Sequence, residues 1–296
     1  MSPSKVLLRL PATSANLGPG FDCLGLALDL WSAATLESHD TAVERPREPL
    51  LEMALFAADA FFAASGVAAP RGLSVAWQSG FPLARGLGAS AAIRAAALVG
   101  ANALAGQPLG LEDLLPIGAM LEGHADNITP ALLGGLQVAV WEEDRVIHAP
   151  VALPEGIKVV LMIPDQAMPT DESRRLFAAN VPRDDAVYNV GHASLMVAAL
   201  AAARLELLAK ACDDRLHQPA RARLLPAMGA IREAAQGAGA LCSYLSGGGS
   251  TIAAWTLTEE KKVAQAMLLA AQAAGCPGET IITRPSAKGA QVVSTE

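Results

Sequence analysis

Apolar and polar positions along the chain sort into strand-like and helix-like runs, and their order sets the first expectation of architecture. Residues 6–10 and 24–37 read as strands flanking a loop over 11–25. A helix follows over 50–64, a strand over 73–78, and helices over 90–104 and 111–122. Strands are expected near 136–141 and 146–149. Two prolines and a glycine within 150–156 punctuate the chain there, which makes this the best boundary. Beyond it, 157–163 is a β-like run, 185–212 and 221–236 look helical, and 241–245 and 251–257 read as strands around a last glycine loop. Thr258 is expected to cap the final helix, with Glu259 and Glu260 in its first turn and Gly275 ending it. Residues 281–283 would close a sheet. The mixture predicts an α+β chain of two domains, 1–153 and 154–296. It contains no internal repeat, coiled coil or low-complexity tail.

Composition narrows the class. The 296 residues are 52% hydrophobic, but alanine supplies much of that fraction and aromatics only 4%. The long uncharged stretches contain Asn, His, Ser or several glycines, so they make poor membrane spans, and no signal-like segment opens the chain. A soluble cytoplasmic protein is expected. The net charge of −7 argues against nucleic acid or an anionic membrane as partner. Cys23, Cys212, Cys242 and Cys276 lie too far apart for zinc spacing or a redox C-x-x-C pair.

Four segments look built for a ligand: 11–25, 82–92, 122–135 and 246–251. The second reads Pro82-Leu83-Ala84-Arg85-Gly86-Leu87-Gly88-Ala89-Ser90-Ala91-Ala92, between a strand and an Ala-rich helix. Glycines let backbone N–H groups approach a ligand, and a helix N-terminus adds unpaired donors and a positive dipole end, so the loop suits a phosphate. It is not a Walker loop, since no Gly-Lys-Ser or Gly-Lys-Thr follows. Gly86-Leu87-Gly88 begins like a dinucleotide fingerprint, but Ala91 stands at the third glycine and no suitably placed acid follows. By itself the loop leaves two readings open, a phosphate site or a plain turn before a helix.

Glu122 is informative independently of that loop. Winding 111–122 at 100° per residue gathers Leu111, Leu114, Leu115, Gly118 and Leu121 on one face, and Glu122 falls about 20° from Leu111. An inward carboxylate needs a partner, and a cation is an effective one. Geometry alone leaves open a frayed helix end that carries Glu122 to solvent.

Taken together the segments resemble the GHMP kinases, whose phosphate loop reads P-x-x-x-G-L-G-S-S-A-A; here Ala89 replaces the first serine. Pro11-Ala12-Thr13-Ser14-Ala15-Asn16-Leu17-Gly18-Pro19-Gly20-Phe21-Asp22 and Glu122-Gly123-His124-Ala125-Asp126-Asn127 are similar to signatures of the members that phosphorylate homoserine. So are Asp214-Arg215-Leu216-His217-Gln218-Pro219-Ala220-Arg221, with Ala220 for tyrosine, and Ser246–Thr251, where Gly248 and Ser250 depart from the family pattern. The matches run through nearly the whole chain in the family's order.

The resemblance implies the two-domain GHMP kinase fold, with an N-terminal domain like one in ribosomal proteins and a ferredoxin-like C-terminal domain. It implies ATP as phosphoryl donor, Mg2+ held by Ser90 and Glu122, and phosphate contacts along residues 82–92. The acceptor homoserine is a zwitterion with a terminal hydroxyl. Asn16, Asp22, His124, Arg174 and Arg221 are the expected substrate contacts, Asp22 for the ammonium and the two arginines for the carboxylate. Asn127 is placed to orient the attacking hydroxyl. A homodimer is consistent with the family. The alternatives are a GHMP kinase of another hydroxy-acid acceptor and a catalytically silent sensor of an amino acid or nucleotide.

Overall fold

The structure, a computed structural model, describes residues 3–168, 173–178 and 180–296. Its strands are β1 (Lys5–Ala15), β2 (Leu24–His39), β3 (Gly72–Gln78), β4 (Leu136–Glu142), β5 (Arg145–Val151), β6 (Lys158–Pro164), β7 (Cys242–Leu245), β8 (Ile252–Thr256), β9 (Gly278–Thr283) and β10 (Gln291–Thr295). The main helices are α1 (Pro49–Ser65), α2 (Ala89–Leu104), α3 (Leu111–Glu122), α4 (Ile128–Leu133), α5 (Arg183–Ala201), α6 (Met228–Gly237) and α7 (Glu260–Ala273). One antiparallel sheet runs β10-β1-β2-β4-β5 with β3 also on β2, and the other runs β7-β8-β6-β9.

β1 shows why its sequence makes a strand. Val6, Leu8 and Leu10 are buried while Lys5, Leu7 and Arg9 reach toward solvent, the period of two that puts alternate side chains on opposite faces. The alternation stops at Pro11, where a bulge shifts the register and the strand continues buried on both faces. The segment expected to be a loop from residue 11 therefore pairs with β2 as far as Ala15, which faces Gly25. Only the residues after Ala15 form the loop. α1 and α2 pack together on this sheet, and alanines from Ala91 to Ala103 let α2 lie close to β1.

In the second sheet, β6 is apolar on both faces because both are covered. Val159, Leu161 and Ile163 join the large core shared with the first sheet, whereas Val160 and Met162 face a smaller core under α6 and α7. The expected helices over 185–212 and 221–236 are each broken. α5 ends at Ala201, before Ala203 adopts φ +53°, and short helical turns at Leu205–Leu207 and Leu208–Ala211 complete the run. Gln218–Arg221 is a single turn separated from α6. Residues 122–135 hold the short α4 rather than a continuous loop.

At the start of α7, Thr258 is not the cap: Thr256 Oγ1 accepts a hydrogen bond from Glu259 N at 3.2 Å. The run at 281–283 belongs to β9, at one edge of the second sheet. β10, unforeseen, carries the end of the chain back onto β1, with Val6 opposite Thr295. A division at 153/154 remains our proposal, with β10 crossing it. Among the described residues no helix is long and apolar enough to cross a membrane.

Candidate active site

The glycine loop between β3 and α2 is held from three sides. Gly86 and Gly88 have φ of +74° and +69°. A β-carbon would lie 2.1 Å from Ser246 O at the first and 1.8 Å from Thr13 Oγ1 at the second, so both positions demand glycine. Thr13 N donates to Leu87 O at 3.0 Å, Ser246 Oγ to Gly86 O at 2.7 Å, and Thr251 N to Arg85 O at 3.1 Å. Ser250, buried, donates to Gln166 O at 2.5 Å and ties the last glycine loop down. Arg85 donates through Nε to Pro164 O at 2.8 Å and through a terminal nitrogen to Asp165 O at 2.5 Å, which fastens the loop to the end of β6. α2 begins at Ala89 with no side-chain cap, leaving its first N–H groups for a ligand.

Ser90 and Glu122 converge. Glu122, the last residue of α3, turns inward with only 3% of its side chain exposed. Ser90 Oγ donates to its Oε2 at 3.1 Å. Of the two readings the sequence left open, the inward one holds. Its Oε1 pairs with the guanidinium of Arg94, one helical turn beyond Ser90 on α2.

Opposite the loop lies a charged end. Asn16 and Asp22 have φ of +71° and +59°, unusual for residues with side chains. Asn16 Oδ1 accepts from Asp22 N at 3.0 Å, while its Nδ2 donates to Gly247 O at 2.9 Å. Asp22 and Arg174 pair with each other through two hydrogen bonds of 2.5 and 3.1 Å. Thr170, Asp171 and Glu172, shortly before Arg174 in the chain, lie outside the described residues. Arg221 is 1% exposed, its guanidinium near the rings of Phe177 (4.9 Å) and Phe21 (5.6 Å). It donates to Gly247 O at 3.0 Å and His217 Nδ1 at 2.9 Å, while its Nε is buried without a hydrogen-bond partner among the described residues. Asn127 is locked by Thr13 Oγ1, which donates to its Oδ1 at 2.7 Å, and by its own donation to Asp126 Oδ1 at 3.1 Å.

Asn16, Asp22, Ser90, Glu122, His124, Asn127, Arg174 and Arg221 all line one cavity of about 520 Å³, together with Leu83, Ala84 and the loop from Gly86 to Ala89. Pro82, Arg85, Ala91 and Ala92 do not line it. Comparison with known proteins adds lineage to this geometry. Residues 52–135 match the GHMP kinases N terminal domain and residues 196–274 the GHMP kinases C terminal. The homoserine kinase of Moorella thermoacetica is 40% identical, over 89% of this chain and 92% of that protein. That of Carboxydothermus hydrogenoformans is 38% identical, over 96% of both. The chain belongs to the homoserine kinases of the GHMP kinase family. The crystal structure of homoserine kinase from Cytophaga hutchinsonii superposes with a TM-score of 0.88 at 26% identity, covering 99% of this chain and 98% of that one. The crystal structure of L. major mevalonate kinase, at 16% identity and a TM-score of 0.68 and covering 100% of both chains, shares the fold.

Within this GHMP kinase two histidines are driven in opposite directions. Burial pushes His217 down to about 4, more strongly than Asp214 pulls it up, and the Arg221 charge adds to the fall. Neutral His217 donates from Nε2 to Gly18 O at 2.7 Å and accepts from Arg221 at Nδ1. Burial also pushes His124 down, but Asp126 and Glu122 outweigh it and hold the imidazole above its ordinary value. Its Nδ1 sits 2.6 Å from Asp126 Oδ1, an ion-pair contact without good hydrogen-bond alignment. Burial lowers Arg221 to about 10, which leaves it charged at neutral pH.

Several lining residues went unseen in the sequence. Pro49, Leu50 and Met53 at the start of α1, with Leu121, give the cavity an apolar wall. Nothing in the sequence around α1 marked them, because an apolar residue facing a cleft looks like one facing the core. Arg94 had a faint signal, its spacing of four from Ser90 on one helix.

Proposed function

We propose that the protein transfers the γ-phosphoryl group of ATP to the side-chain hydroxyl of L-homoserine, giving O-phospho-L-homoserine for threonine synthesis in the cytoplasm. The observation that carries this reading is a single cavity with the glycine loop, Ser90 and Glu122 at one end and Asp22, Arg174 and Arg221 at the other.

Each end matches one substrate. The loop's backbone N–H groups and the start of α2 suit the phosphates, and the apolar wall of Pro49, Leu50 and Met53 suits the adenine. Arg221 is a fork for the acceptor carboxylate, fixed by His217 and Gly247 and carrying one buried donor unpaired among the described residues. Asp22, His124 and Asp126 present atoms within 4.8 Å of one another, an anionic corner for the ammonium. Asp22 is shared with Arg174 there. A hydrophobic pocket alone separates related acceptors by little, whereas buried charges left unpaired by a wrong acceptor reject it strongly.

The residues present also fit Mg2+. Ser90 and Glu122 offer two hard oxygen donors 3.1 Å apart, the number of protein ligands this ion usually takes beside phosphate and water. When bound, it would neutralise charge developing on the transferred phosphoryl group. The protein's own part is alignment. Asn127, immobilised by Thr13 and Asp126, orients the hydroxyl, and the loop holds the donor phosphates in line with it. Transfer of this kind needs no strong base.

Coupled ADP-release assays with homoserine, mevalonate and pantoate test the reading. Turnover of homoserine is expected; turnover of another acceptor without it would defeat the assignment. Retention of the Ser90–Glu122 contact speaks against a silent sensor. A homodimer belongs to the same reading and is checked by light scattering.

A further inference from the structure

Arg94 has no part in the reaction as described so far, yet it lines the same cavity and sits against a proposed metal ligand. Its side chain is 17% exposed, so the guanidinium is largely removed from bulk water. The ion pair to Glu122 Oε1 is its one hydrogen bond among the described residues. A guanidinium has five N–H donors in a planar fork, which leaves most of Arg94's donors for something entering the cavity. It projects from α2 one turn after Ser90, on the side that meets α3, and the loop residues Gly86 to Ala89 line the cavity beside it.

We propose that Arg94 is a nucleotide-phosphate ligand, its guanidinium bridging the Glu122 carboxylate and a phosphate oxygen of the bound nucleotide. The inference rests on the kinase reading above. A carboxylate offers about four lone-pair sites, so Arg94 on Oε1 leaves Oε2 beside Ser90 free for a metal ion. Arginine and metal are then partners rather than competitors. The bridge adds a fixed positive charge where Ala89 supplies no hydroxyl. It also gives the cavity an anchor for phosphate that does not depend on the metal.

The test is calorimetric titration of the whole protein with ADP, once in excess chelator and once with magnesium. Arg94→Gln is expected to weaken ADP by about 10- to 100-fold in chelator, the range for losing a charge-assisted hydrogen bond. Arg94→Lys should lose roughly tenfold, because a point charge replaces the fork. In both variants KM for ATP should rise while KM for homoserine stays within about twofold. Unchanged ADP affinity in folded Arg94→Gln and Arg94→Lys would overturn the proposal. So would tighter magnesium-ADP binding, which would make Arg94 a competitor of the metal.

Arg94→Gln leaves a buried carboxylate unpaired and is at risk of misfolding. The double variant Arg94→Gln/Glu122→Gln, compared with Glu122→Gln alone, removes that charge from both sides of the comparison. The double variant is expected to bind ADP the more weakly by the same factor, and equal binding would refute the bridge. Parent protein that bound no ADP at all would overturn the kinase reading and this inference with it. Parent binding with unaffected variants would overturn the inference alone.

Discussion

The two ends of the cavity are built by different means. At the proposed phosphate end a loop of backbone N–H groups, shaped by two left-handed glycines and braced by Thr13, Arg85, Ser246 and Thr251, lies beside the side chains of Ser90, Arg94 and Glu122. At the proposed acceptor end the groups are side-chain charges, Arg221, Arg174, Asp22 and the His124–Asp126 pair, held by one another, by His217 and by Gly247 O. The loop itself tolerates changes of side chain but not of backbone space. The acceptor end tolerates neither a lost charge nor a wrong shape, because its groups are partly desolvated and held in a shared network. A variant at one end should therefore leave the other substrate's binding nearly intact.

The largest effect should come from filling the backbone space of the loop. In Gly86→Val the side chain meets Ser246 O and the positive φ is strained as well. Nucleotide binding should fall below detection by calorimetry while the melting temperature stays within a few degrees of the parent's. Nucleotide binding retained within tenfold would show that the loop is not the phosphate site. Next comes Glu122→Gln, which keeps the shape and removes the charge proposed to hold the metal. We expect kcat to fall by roughly 1,000-fold, about 4 kcal/mol of transition-state stabilisation, with homoserine affinity little changed. A loss under tenfold would remove Glu122 from the reaction.

At the acceptor end, Arg221→Lys replaces a fork braced by His217 and Gly247 with a flexible point charge. The expected cost is about 100-fold in kcat/KM for homoserine, roughly 3 kcal/mol, with KM for ATP within twofold. An equal rise in both KM values would mean that Arg221 shapes the whole cavity rather than one end.

The contrast also explains what the sequence revealed. The loop and the charges that line the cavity were legible because glycines at fixed offsets and charged residues in apolar surroundings have few other uses. The order of strands and helices was legible from periodicity, apart from the short α4, the breaks in the expected helices over 185–212 and 221–236, and β10, whose Val292 and Val293 are exposed and give no buried face to detect. The continuation of β1 through Pro11–Ala15 was hidden because proline, serine and threonine read as a loop; only pairing with β2 across a bulge makes that segment a strand. Arg94 and the wall at α1 were hidden for a third reason. Their function depends on which elements face each other, and that information is tertiary.

The histidines sharpen the comparison through pH. His217, neutral among arginines, has a folded value of about 4, below its ordinary 6.5. The unfolded chain binds the proton more readily, so the stability from His217 is full above about pH 6.5 and is lost as the pH falls toward 4. His124, beside acidic groups, is raised, so its contribution is full below pH 6.5 and is lost as the pH rises through its folded value. Thermal melts from pH 4 to 8 should show His217→Asn with a flatter acid limb than the parent and His124→Asn with a flatter limb above 6.5. Identical pH profiles in parent and His217→Asn would contradict a neutral, arginine-braced His217.

The smallest effect is a gain. Ala89 opens α2 at the cavity edge, beside Gly88 and one residue before Ser90, where the family pattern has the first of its two serines. A hydroxyl there adds one donor to a phosphate site already supplied by backbone N–H groups, and at this solvent-edge position the net gain over the water it displaces is about 1 kcal/mol. Ala89→Ser should therefore tighten ADP by about two- to fivefold, leave homoserine binding unchanged, and cost nothing in stability. If nucleotide affinity does not move, the loop's backbone and Ser90 already saturate the phosphates, and the phosphate end is even less dependent on side chains than its geometry suggests. If homoserine affinity moves instead, the separation between the two ends fails at the one position where it should be easiest to observe.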